Sequence, residues 1–338
     1  MRTADSPVQS SKTPSGFSTP RTTSPPSGTF QATVIEHLDF DDLRKFIEEH
    51  RFEVIQEKLH EDGWALIDKQ SQLLLEKIRS KGVPLGEYVN GKIFYGIKTG
   101  LNEAFVIDEA TKEKLIAEDP KSKELIKPFL AGRDIKRYQP PKTDKYLIII
   151  PSGWTDQQTD ENDKWGWLKS AYPAIAGHLA QFEEKARKRY DKGKYWWELR
   201  ACDYYDEFEK PKIMLPDISL RGNFTLDKDG GYYVVNTAYI IESDDKYLLG
   251  ILASDLIDFY YRTISSTYRG GYLRFIYQYL ETIPIVEPGE ASKKLIEEKV
   301  QQVLEAKSAT PDADTSGIES EIDKIVNSIY SISYAASH

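Results

Sequence analysis

Through the middle of the chain, hydrophobic residues come in short runs broken by Gly, Pro and charge, whereas towards both ends they recur at helical spacing. Short apolar runs between turn residues signal strands; recurrence every three or four residues signals an amphipathic helix. Asp41 is accordingly expected to cap a helix carrying Leu43, Phe46 and Ile47, with a second amphipathic piece through Val54, Ile55 and Leu59. Residues 64–67 follow, then a helix with Leu73, Leu74, Leu75 and Ile78 that Gly82 closes. The segment around 96–108 reads as strand, polar turn, strand: Ile93, Phe94 and Tyr95 precede Gly96, and Ala104, Phe105, Val106 and Ile107 follow Gly100. Such a hairpin turns Lys98, Thr99 and Asn102 outward to an anionic or hydrogen-bonding partner, unless its glycines serve the turn alone.

Further strands are expected over 146–150, 212–215, 232–235 and 238–241, with helices over 111–118, from about 174 and over 247–261; the run 126–130 and a turn over 132–138 come before these strands. Residues 153–167 read as a polar, Trp-bearing loop. Ile296, Val300 and Val303, then Ile318, Ile322, Ile325 and Ile329, mark two charged helices that form an antiparallel hairpin, packed on itself or on a partner. The whole predicts an α+β fold with a mixed or antiparallel sheet and a C-terminal helical hairpin. Residues 1–30 are rich in Ser, Thr and Pro and have little to bury, which predicts a disordered leader. A transit peptide is the alternative there, and Asp5 and the prolines argue against it. The chain then divides into a helical lead-in (31–85), a main domain (86–288) and the helical hairpin (289–338).

Composition narrows the function. With 45 Lys and Arg against 54 Asp and Glu the net charge is −9, so any nucleic-acid site must be a local basic patch. Cys202 is the single cysteine, which excludes an internal disulfide, and with five scattered His it disfavours a Cys/His zinc site. No apolar run approaches the ~20 residues of a membrane span. A reducing, cytoplasmic setting with no membrane partner is expected. Aromatics make up 12 % of the chain, and the 21 Tyr suit a binding surface.

Catalytic patterns are missing: there is no phosphate loop, no dinucleotide fingerprint and no nucleophile elbow. Asp217 after a strand, with Asp244, Asp245 and Lys246 further on, has the residue types of a metal-dependent nuclease, but Asp244 and Asp245 stand where a helix cap belongs. What remains is basic and aromatic. Between 183 and 200, Lys185, Arg187, Lys188, Arg189, Lys192, Lys194 and Arg200 surround Tyr195, Trp196 and Trp197, a mixture suited to a phosphate backbone and stacked bases. The alternative is a solvated helix end beside core tryptophans. Arg133, Lys136 and Arg137 form a second basic group, and Arg269 and Arg274 flank a Gly-Gly turn as a third; Arg221 lies in another glycine-punctuated loop.

In order along the chain, GKIFYGIKTGLNEAFVID, DPKSKELIKPFLAGRDIKRY, YPAIAGHLAQFEEKARKRYDKGKYWWELR, FEKPKIMLPDIS, YLLGILASDLIDFYY, RGGYLRFIYQYLETIPI and EIDKIVNSIY resemble the TaqI-like C-terminal specificity domain of type IIG restriction-modification enzymes, which is related to type I specificity subunits. The resemblance implies a target recognition domain over 86–288 that binds double-stranded DNA, with the terminal helices as spacer or docking elements. It also implies a methyltransferase or nuclease domain, in cis or in trans, which uses S-adenosylmethionine and Mg for adenine methylation and cleavage. The methyltransferase signature (Asn or Asp)-Pro-Pro-(Tyr or Phe) is absent here, so the chain reads as a fragment or a stand-alone recognition subunit without a catalytic centre. Lys98, Thr99, Asn102, Arg133, Lys136, Arg137, Arg187, Lys188, Arg189, Lys194, Trp196, Trp197, Arg221, Arg269 and Arg274 are the expected DNA contacts. The first three are expected to hold phosphate or brace the fold, and the base-reading contacts to lie near residues 154–167 and 221–231. The competing reading is a protein-interaction module that docks a methyltransferase.

Overall fold

The computed structural model describes residues 28–35, 39–56, 67–265 and 269–332. The leader up to residue 27, Leu59 and residues 64–66 lie outside the described residues. The chain forms two units divided after Lys69.

In the first unit, strand Thr29–Ala32 pairs antiparallel with strand Phe52–Ile55, with helix Leu43–His50 between them in sequence. That helix is capped by Asp42, one residue later than expected, whose carboxylate accepts from the N–H groups of Arg44 at 2.8 Å and Lys45 at 3.2 Å. Val54 and Ile55 belong to a strand rather than to an amphipathic helix: the Phe-Glu-Val-Ile run is short and β-branched, and it finds a pairing partner.

The second unit holds two four-stranded sheets. The first is antiparallel, in the order Thr225–Asp227, Lys212–Pro216, Ala238–Ile241, Ile93–Tyr95. Its two central strands are buried along their whole length: Ala238–Ile241 and Ile213–Pro216 are apolar throughout, and the buried Lys212 is ion-paired with Asp227 of the neighbouring strand. The second sheet is mixed, in the order Tyr233–Val234, Ile126–Leu130, Lys145–Ile148, Val106–Asp108, with the first pair parallel. This is the α+β arrangement of the sequence reading.

The expected hairpin around 96–108 does not form. Ile93–Tyr95 joins the first sheet and Val106–Asp108 the second, so the segment between them crosses from one sheet to the other. Its middle bridges Ile97 to Val235 in parallel, and residues Asn102–Phe105 make one helical turn. Gly96 is required for the crossing because a Cβ there would overlap the carbonyl of Val235.

Other differences concern helix ends. The helix of Leu75 and Ile78 stops at Arg79, and Gly82 lies instead against the backbone of Ile285. The 153–167 stretch contains helices Trp154–Gln158 and Lys164–Ala171. The single helix expected over 247–261 is two, Lys246–Ala253 and Asp255–Ile264, and the hydroxyl of Ser254 caps the second. The C-terminal pair, Glu290–Ala309 and Ser316–Ile329, packs on Lys246–Ala253: Ile296, Val300 and Ile322 close over Gly250. Many tyrosines serve the interior rather than a surface. Tyr138, Tyr247, Tyr260, Tyr261 and Tyr330 are buried, and Tyr247, Tyr260, Tyr261 and Tyr330 donate to backbone carbonyls.

Candidate nucleic-acid interface

The loop 235–237 ties together segments far apart in sequence. Gly96 and Ile97 donate their N–H groups to Ala238 O and Val234 O, and Asn236 N–H donates back to Ile97 O at 3.1 Å. Gly132 N–H donates to Thr237 Oγ1 at 3.0 Å, and Asp217 N–H to Thr237 O at 2.9 Å. Asp217 O in turn accepts from Phe275 N–H at 2.7 Å, beside a two-stranded antiparallel ribbon in which Ile218 pairs with Arg274. Three of the predicted segments, those of Lys98, Arg133 and Arg274, are thereby brought to one end of the two sheets. The side chains of Lys98, Arg133, Lys136 and Arg274 are exposed there. Around Asp217 and Arg274 stand Tyr95 and Tyr239, with ring centroids 4.8 Å apart. Burial raises the Asp217 carboxyl above its ordinary value, against the pull of Arg274.

A second patch is the groove lined by Asn162, Lys164, Trp165, Arg187, Lys192, Lys194 and Tyr195. Glu198 shapes it from below: this fully buried carboxylate accepts from the backbone N–H groups of Gly153 at 3.0 Å, Thr155 at 3.1 Å and Tyr195 at 3.2 Å. The first turn of helix Trp154–Gln158 is thereby clamped to the Tyr195–Trp197 turn, and Trp197 Nε1 donates to Thr155 Oγ1 at 3.1 Å. On the outer side Asp156 accepts from Lys194 and Tyr195, and these bonds pull its carboxyl down to about 2. The crossing segment joins the two patches, because Arg189 donates to the carbonyl of Thr99.

Several expected contacts are not on offer to a ligand. Trp196 and Trp197 form the floor of the groove but are buried, packed on Trp165 at 4.6 Å and 4.9 Å, so the more accessible rings there are the half-buried Trp165 and Tyr195. Arg189 is buried over the Phe105 ring and bonded to the carbonyls of Thr99, Trp196 and Glu198, which makes it a bracket for the loop. Thr99 is buried, and its hydroxyl donates to Asn102 Oδ1 at 2.5 Å while accepting from Leu101 N–H; both side chains brace the crossing. Arg137 is committed to Glu319 at 2.7 Å and to the carbonyl of Ala253, fastening the C-terminal hairpin. Arg221 pairs with Asp255 at 2.8 Å.

Arg187, Lys188 and Lys194 are exposed but paired, with Glu183 at 2.7 Å, Glu184 at 2.6 Å and Asp156 at 2.5 Å. The side chain of Arg269 lies outside the described residues. Asp245, one of the nuclease-like pair, caps its helix by accepting from Tyr247 N–H at 2.8 Å. Trp165 was missed as an individual residue, signalled only by the Trp-rich composition of 153–167, and Lys192 was seen in the basic cluster without being named as a contact.

Residues 127–285 match the sequence model of the TaqI-like C-terminal specificity domain. The chain is 22 % identical over 258 residues to the type II methyltransferase M.BstVI of Geobacillus stearothermophilus, covering 72 % of this chain and 43 % of that protein. It is 24 % identical over 252 residues to the type II methyltransferase M.PaeR7I of Pseudomonas aeruginosa, covering 71 % and 40 %. The chain thus spans less than half the length of these relatives. Among solved structures, the type IIL restriction-modification enzyme MmeI, in complex with DNA, shares the fold with a TM-score of 0.55 and 17 % identity, over 73 % of this chain and 33 % of that one. Among the described residues no helix is long and apolar enough to cross a membrane.

Proposed function

We propose that the chain reads a short DNA sequence for a restriction-modification system, because residues 127–285 match the TaqI-like C-terminal specificity domain. The match over the two-sheet region carries this reading. The gathering of Lys98, Arg133, Lys136 and Arg274 at one end of the sheets supports it, since exposed cations on a rigid frame suit a duplex. A division of labour is supported by the relatives, named as methyltransferases and more than twice as long as the stretch they share with this chain. Recognition falls to this chain. Adenine methylation or cleavage falls to a catalytic part in the same or a separate chain, and that part, rather than the residues described above, would hold S-adenosylmethionine and magnesium.

The test is selection of bound duplexes from a random library with the intact chain, followed by affinity measurements on the enriched site at several salt concentrations. One short motif should emerge, and log affinity should fall with log salt by roughly 0.9 for each phosphate contacted. A pool without a motif, or binding indifferent to salt, would count against the proposal.

A further inference from the structure

We propose that the groove between residues 162–165 and 187–197 holds one unpaired nucleotide, its base laid against Trp165 and its phosphate held by Lys192. The assignment deepens the DNA-recognition reading above, which concerns a paired duplex, by giving the second patch a ligand of its own.

The groove encloses about 450 Å³, within the roughly 300–1,000 Å³ of small-ligand sites. Trp165 stands half-buried against its floor, its ring tilted by 53° to Trp196 and by 36° to Trp197. Tyr195 lies parallel to Trp197, with ring centroids 4.7 Å apart. Glu198 holds this wall in place through its bonds to Gly153 N–H and Tyr195 N–H, so the rings are set before any ligand arrives.

Two groups in the groove lack the partners that their neighbours have. Four cations line it. Arg187 has Glu183 within 4.0 Å, and Lys164 and Lys194 share Asp156. Lys192 has no carboxylate in that range among the described residues; it is exposed and bonds to the carbonyl of Arg189 at 3.0 Å. An ammonium carries three donors, so two remain for a ligand. Trp196 is 4 % exposed, and its indole N–H has no acceptor, a condition rare among buried donors.

Chemistry selects the ligand. Four cations repel the quaternary and methylated ammonium groups that aromatic cages take. A neutral sugar would leave Lys192 without a counter-charge, and a bare phosphate would make no use of the rings. A paired duplex offers phosphates but keeps its base faces inside the stack, beyond the reach of Trp165. A nucleotide outside the stack supplies all that the groove lacks: a flat face for Trp165, a phosphate for Lys192, and ring nitrogens or carbonyls as acceptors for Trp196. A free nucleotide and an unpaired position in a DNA strand share this chemistry.

The test uses 2-aminopurine, a fluorescent base that dims on stacking against an aromatic ring. Four probes carry it: the free deoxyribonucleotide, a single strand, a duplex with the probe as an unpaired bulge, and the fully paired duplex. The intact chain should dim unpaired probes and leave the paired one unchanged. Dimming of the free nucleotide would identify a soluble ligand, and dimming only in the strand or the bulge would identify DNA as its source. Trp165→Leu should weaken binding of the unpaired probes about fivefold or more, and Trp165→Phe should recover most of that loss. Lys192→Gln should lower the salt slope for the single strand by about 0.7. Unfolding midpoints check folding, and Lys192→Gln, at an exposed position, decides if Trp165→Leu fails to fold. The proposal falls if no unpaired probe dims, if either folded variant binds these probes as the wild type does, or if Trp165→Leu weakens the paired duplex equally. Selection of a duplex motif is a separate measurement, so DNA recognition stands or falls apart from the groove.

Discussion

Glu198 sets the groove from inside. Its carboxylate is the partner of three backbone N–H groups, in a place where water does not reach. Hydrogen bonds to a charged group contribute about 1.5–3 kcal/mol each, and orphaned buried donors cost a similar amount. Glu198→Ala should therefore destabilise the chain by about 3 kcal/mol in urea unfolding, and a midpoint equal to wild type would exclude the clamp. At this scale the sequence was legible in composition and illegible in orientation. The cluster of cations and aromatics over 185–197 was visible, but nothing in it shows a helical or strand period. Backbone carbonyls accepting from Arg189 decide which side chains turn inward, and such bonds leave no trace in the order of residues. Trp196 and Trp197 went inside for that reason, and Trp165, twelve residues past the start of a stretch read as loop, became the more accessible, half-buried ring.

Elements were read well where one face or both faces are buried. Lys212–Pro216 and Ala238–Ile241 sit in the centre of a sheet, and the apolar runs Ile213–Pro216 and Ala238–Ile241 said so. Ile296, Val300 and Val303 kept their helical spacing because they pack on another helix. Boundaries failed where a polar side chain or a tertiary partner intervened, as at Ser254, whose hydroxyl restarts a helix inside an apolar run. The docking of the C-terminal hairpin depends on Gly250, where a Cβ would come within 2.7 Å of Ile296 Cγ2 and 2.9 Å of Val300 Cγ2. Gly250→Val should cost about 1–3 kcal/mol through overpacking. Gly317, on the outer helix, has open space around its Cα, and Gly317→Ala should stabilise by roughly 0.5–1 kcal/mol. Thermal unfolding of the two variants checks both signs; a neutral Gly250→Val would mean that the hairpin does not rest on this helix.

Across the whole molecule, an acidic chain presents basic patches of which the one at the 162–197 groove is largely neutralised in advance. Arg187 and Lys188 answer Glu183 and Glu184 one helical turn away, in exposed pairs that add little stability. Their larger effect is on partners, since a cation already paired releases fewer counterions from DNA. Glu183→Gln combined with Glu184→Gln should tighten binding to unrelated duplexes and steepen the salt slope by up to about 1.8, while stability changes by less than ~0.5 kcal/mol. An unaltered slope would place that helix away from the duplex.

The segment that crosses between the sheets joins its neighbours through peptide groups: Gly96 and Ile97 to the 234–238 strand region, Thr99 O to Arg189. Apart from Gly96, Thr99, Asn102 and Arg189, which shape the crossing, a frame so held is indifferent to the side chains it displays. Lys98 and the residues at the tips of the ribbon can be exchanged during descent without rebuilding the domain, so that one scaffold acquires new targets by drift at its surface while its interior stays still.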